Sequence, residues 1–129
     1  ALNATKAALE EGILPGGGIA LVKCKKMLSE NSENIKSASV KAGYEIIMRA
    51  ILEPFKQIIR NGNESHETIL EKVLATDEAA GYDARNKKIG NMYELGILDP
   101  FKVVRCALEN AVSCSLMLLN VECCLINIE

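Results

Sequence analysis

Three consecutive glycines, Gly16-Gly17-Gly18, followed at once by Ile19-Ala20-Leu21, are the first residues of this 129-residue chain whose type and spacing could serve a ligand. Glycines let backbone N–H groups approach a bound molecule, and a helix N-terminus just after them carries positive dipole. A Walker-type phosphate loop would continue with Lys and Ser or Thr, which do not follow here, and no strand is expected to precede it. The loop therefore reads either as a connection between helices or as a place where a sugar or base meets the backbone. Asp99-Pro100 has the form of a helix start, Asp as N-cap and Pro at N1, a cap contributing about 1 kcal/mol. Asp83, within Gly81-Tyr82-Asp83-Ala84, is a turn residue or a polar ligand contact. His66, beside a capping Ser65, reads as a solvated first-turn residue. The cysteines at 24, 106, 114, 123 and 124 form no C-x-x-C pair and have one histidine to help them, so neither a disulfide framework nor a zinc site is legible. The clusters Lys23-Cys24-Lys25-Lys26 and Arg85-Asn86-Lys87-Lys88 read as solvated charge.

The elements that must position these residues are mostly helical. Leu2, Thr5 and Leu9 share a helical face, and Gly12 stands where a left-handed residue would stop that helix near Glu11. The run Ala1-Leu2-Asn3-Ala4 starts in good helix formers with no capping residue ahead of it, so the chain is expected to be part of a longer polypeptide. A second helix is expected over 19–28, with 29–33 as a polar connection. The stripe Ile35, Ala38, Ala42, Ile46 and Ala50 describes the longest middle helix. Pro54 should kink or restart it, with Phe55, Ile58 and Ile59 facing inward. Ser65 is placed as the N-cap of a short helix burying Ile69, Leu70, Val73 and Leu74. From 81 to 90 the helical period fails and a hairpin is expected around the Arg85-Asn86-Lys87-Lys88 turn. A single turn over 91–95 closes at Gly96. A long helix then follows Pro100, its second half apolar on nearly all sides and expected to be enclosed, and a strand is expected over 121–128.

Composition bounds what such a chain can do. Lys+Arg 15 against Asp+Glu 17 leaves a formal charge of −2, which supplies no sequence-wide reason to bind nucleic acid or an anionic membrane. Hydrophobic residues at 49% with charged ones at 25% suit a folded domain, and no apolar run approaches the roughly 20 residues of a membrane span. No nucleic-acid or membrane partner is expected.

The stretches ALNATKAALEEGILPGGG (1–18), GYDA (81–84) and GNMYELGILDP (90–100), in this order and spacing, closely resemble the C-terminal part of group I chaperonins, the GroEL family. The likeness continues through KVVRCALENA (102–111) and the closing segment 122–129. It implies an all-α, multi-helical portion of a chaperonin equatorial domain with a small β-hairpin and a C-terminal strand. Residues 1–11 would end an intermediate-domain helix, and 12–129 would form the C-terminal half of the equatorial ATP-binding domain. By the same resemblance, Gly17 would approach the nucleotide sugar, Asp83 and Ala84 would border the base, and Asp99 would face the ribose while capping its helix. Arg85 takes the next position along the base, where the family carries a small residue.

ATP and Mg2+ are the implied cofactors of the full-length parent, an ATP-driven protein-folding machine. The family's phosphate loop, phosphate-side lysine and metal-binding Asp belong to its N-terminal half, and the hydrolytic Asp should directly precede Ala1. This chain is therefore expected to hold no catalytic residue and no metal ligand, and to be inactive as an ATPase alone. Implied partners are identical ring subunits, met through 56–65 between rings and through the strand 121–128 within a ring. Unfolded proteins and a co-chaperonin would bind an apical domain outside this chain. The implied compartment is a mitochondrial matrix or another organelle lumen of bacterial origin, with the cytoplasm as the alternative. The rival from another class is a helical oligomerisation scaffold that binds no nucleotide.

Overall fold

A computed structural model describes residues 2–77 and 79–123. The chain divides into two compact units, one made of Leu14–Asp99 and the other of Ala1–Ile13 with Pro100–Glu129. Among the described residues there are six helices and four short strands.

In the second of these units, α1 (Leu2–Glu11) ends as its sequence dictates: Gly12 adopts φ 89° and its N–H donates to the Ala8 carbonyl at 2.9 Å. α6 (Phe101–Leu119) packs on α1. The expected cap by Asp99 is not made. Pro100 occupies the N-cap position with extended ψ 130° and no side-chain cap bond, and the Phe101 N–H donates to the Gly12 carbonyl at 3.1 Å. The residue before a proline favours extended backbone, so the chain stays extended through Asp99 and the helix starts one residue later than expected. The expected enclosure of the second half of α6 is also absent. No residue of α6 is buried, and Leu118 and Leu119 are 75% and 80% exposed, because no described element covers them. Residues 121–123 have no regular structure, and the rest of the strand expected over 121–128 lies outside the described residues.

Leu14–Asp99 has the core. Pro15 closes β1 (Ile13–Pro15), a strand that the sequence did not lead us to expect before the glycines, and β1 pairs with β4 (Leu98–Pro100). α2 (Ile19–Glu33) runs through 29–33 instead of stopping at 28, for the Ser32 hydroxyl folds back on the Ser29 carbonyl at 2.7 Å and satisfies itself inside the helix. α2 is thus longer than α3 (Ala38–Ala50), whose apolar stripe is left open, with Val40, Ile46 and Ile47 all exposed. Pro54 sits in the first turn of α4 (Glu53–Asn61), a restart and not a kink. Ser65 precedes α5 (His66–Leu74) at the N-cap position without a side-chain bond.

β2 (Ala80–Asp83) and β3 (Lys88–Asn91) form the expected hairpin, antiparallel with Tyr82 opposite Ile89 and Asp83 opposite Lys88. One i→i−4 turn follows, Leu95 N–H to the Asn91 carbonyl at 3.1 Å, and Gly96 ends it at φ 67°. Ile19 and Val22 from α2, Leu52, Phe55 and Ile59 around α4, Val73 from α5, Tyr82 and Met92 make one buried cluster. Each fully buried large side chain in it contributes about 1.5–3 kcal/mol.

Candidate functional site

The triple glycine leads into α2, and each glycine has a different neighbour. A Cβ on Gly16 would stand 3.0 Å from the Ile97 carbonyl carbon, and the Gly16 N–H donates to the Ile97 oxygen at 2.9 Å. A Cβ on Gly18 would stand 3.0 Å from the Phe55 nitrogen. The middle glycine is open: within 4 Å its Cβ would meet the Tyr82 carbonyl alone, at 3.8 Å. The structure thereby brings the Gly17 backbone beside β2, one residue from Asp83, while Gly16 grips the backbone two residues before Asp99.

The hairpin tip is built by Asp83. Its carboxylate is buried, and one oxygen accepts the backbone N–H groups of Arg85 at 2.9 Å and Asn86 at 3.1 Å while the other accepts the Asn86 side-chain amide at 2.7 Å. These bonds, led by the Asn86 side chain and helped by the Lys88 charge, hold the Asp83 carboxyl below its ordinary range. The turn and ligand readings of Asp83 are therefore not equal: both oxygens already serve the turn. Ala84 is half-buried against the core cluster, and Arg85 is exposed, its backbone spent on Asp83. Asp99 differs from Asp83. It is half-buried in β4, and its carboxylate has no hydrogen-bond or ion-pair partner among the described residues.

Of two lysines expected in solvent, Lys87 is exposed and Lys23 is half-buried. Lys23 donates to the carbonyls of Val73, Thr76 and Asp77, and Lys87 pairs with Glu64 at 2.8 Å, which raises the Lys87 pKa. Tyr82, Asn86 and Ile97 border the same region and were not singled out. Tyr82 and Ile97 carry the signal of apolar residues flanking the matched glycine and Asp positions, whereas nothing local marks Asn86 or Lys23. Among the described residues no group of three His, Cys, Asp or Glu side chains could hold a metal ion, and no helix is long and apolar enough to cross a membrane.

The fold matches a solved group III chaperonin in the open state with a TM-score of 0.84 at 23% identity, over 92% of this chain and 25% of that one. Helices, hairpin and glycine loop thus form a portion of a chaperonin fold, and this chain spans a quarter of the length of the solved chain it matches. The profile of the TCP-1/cpn60 chaperonin family matches residues 1–128, and the chain belongs to that family.

Proposed function

We propose that this chain forms the adenosine-facing wall of an ATP pocket in a group I chaperonin subunit. The observation that carries the reading is the Asp99 carboxylate, half-buried and uncommitted, on a strand whose preceding backbone is hydrogen-bonded to the glycine loop. A carboxylate in that state accepts hydroxyl donors such as those of a ribose. The open backbone at Gly17 admits the sugar, and the Asp83-Ala84 turn borders the base through its backbone, since the Asp83 side chain is occupied. Arg85 would lie along the outer edge of the base. ATP supplies the free energy for the parent's folding cycle. In this reading the Mg2+ ligands and the hydrolytic group belong to the rest of the subunit, and this chain alone turns over no ATP.

In the same reading, residues 1–11 end an intermediate-domain helix and 12–129 belong to the equatorial domain. Residues 56–65 and 121–128 would meet other subunits of the ring assembly. Unfolded clients and a co-chaperonin would bind elsewhere in the subunit, within an organelle of bacterial origin. Titration of ATP-Mg into the full-length subunit, with and without Asp99→Ala, tests the proposal. Binding should weaken by about tenfold or more on losing a charge-assisted hydrogen bond. The exposed apolar residues of α3 favour the rival scaffold, and an absence of ATP binding in both forms would leave that rival standing.

A further inference from the structure

Lys23 stands on the second turn of α2, the helix that the glycine loop begins. Its ammonium donates to three backbone carbonyls, Val73 at 3.1 Å, Thr76 at 3.3 Å and Asp77 at 2.9 Å. An ammonium has three protons, and here each has an acceptor. Val73 lies in the last turn of α5, and Thr76 and Asp77 follow directly after its end at Leu74, where the helix dipole is negative. The Asp77 carbonyl also accepts the Ala80 N–H at 3.0 Å, and Ala80 is the first residue of β2. The open side of Gly17 faces Tyr82 in that strand. A cation rooted beside one wall of the pocket is therefore bonded to the chain that leads directly into the other.

We infer that Lys23 is a positioning residue for the adenosine pocket, fixing the separation between the glycine loop and the β2–β3 hairpin. The inference rests on the nucleotide reading proposed above. Lys23 touches no ligand in it; the residue acts through Asp77 and Ala80 on the backbone of Tyr82 and Asp83. Misplacing one wall of a binding site weakens binding without removing any contacting group.

Lys23→Met keeps the aliphatic stem and deletes the ammonium, while Lys23→Arg keeps a cation. In the full-length subunit, Lys23→Met should raise the ATP dissociation constant about tenfold, and Lys23→Arg should recover most of it. Amide exchange at Ala80, Arg85 and Asn86 should quicken in Lys23→Met, while the Ile59 amide of α4 keeps its protection. That pattern separates positioning from a general loss of stability, which would release Ile59 as well and overturn the inference. Unchanged exchange at Ala80, or faster exchange with unaltered ATP affinity, would overturn it too. If Lys23→Met does not fold, Lys23→Gln is compared in its place with the same expectations. A wild-type subunit that binds no ATP would instead sink the pocket reading itself, and is recognised before any variant is compared.

Discussion

The two units of the molecule are held by different forces. Leu14–Asp99 closes around Phe55, Ile19, Ile59, Met92, Val22 and Val73, all under 2% exposed. In the other unit neither α1 nor α6 buries a single residue, and charge joins the two helices: Glu10 with Lys102, and Glu11 with Arg105 at 2.7 Å, the same guanidinium reaching Glu109 at 3.1 Å. Arg105 keeps the Glu11 carboxyl below its ordinary range, chiefly by hydrogen bonding. Exposed ion pairs of this kind are weak and screened by salt, whereas buried apolar area is neither. The candidate site is built on the unit with the core, as a site needing fixed geometry must be.

The sharpest way to break this contrast is Phe55→Ala. It should cost Leu14–Asp99 about 3–5 kcal/mol in urea-induced unfolding, by transfer and cavity terms together. A loss under about 1 kcal/mol would deny that this unit stands on its core. Next is Gly18→Ala, whose new Cβ meets the Phe55 backbone and must adopt φ 78°; about 1–3 kcal/mol should be lost in the same measurement.

A smaller effect is expected in acid. The Asp83 carboxyl titrates lower in the folded chain than in the unfolded one, so its stabilisation is complete above about pH 4, the unfolded carboxylate value, and is lost as pH falls through the folded pKa. Amide exchange at Arg85 and Asn86, referenced to Ile59, should rise in that window, and Asp83→Asn should flatten the dependence. The smallest effect is that of salt: molar NaCl should raise amide exchange in α1 a few-fold and leave α4 unmoved. Equal responses in the two helices would erase the distinction.

How much of this was legible depends on the range of the interaction. Gly12, Gly96, the Asp83 turn and the restart at Pro54 are local events, written in residues that touch their near neighbours in sequence, and the elements they delimit match expectation. Ser32 shows the limit of a local rule, since a polar run read as a connection turned out to satisfy itself inside α2. Periodicity revealed which face of α3 and α6 is apolar but not whether anything covers it, and the faces of α4 and α6 look alike in sequence while only the first is buried. Lys23 was unreadable because its three acceptors lie fifty or more positions away. Asp99 was found by resemblance. Its freedom from the capping role became visible only once β4 was seen to run past it.

The chain contains no tryptophan and three tyrosines, of which Tyr93 is exposed, Tyr44 half-covered and Tyr82 6% exposed beside Gly17. Ultraviolet emission from this protein is therefore tyrosine emission. Its sheltered component comes from the Tyr82 ring in the buried cluster of Leu14–Asp99, so quenching by acrylamide sorts that signal from the accessible one. A natural optical reporter of that core is thus already in place, and no dye has to be attached to watch it.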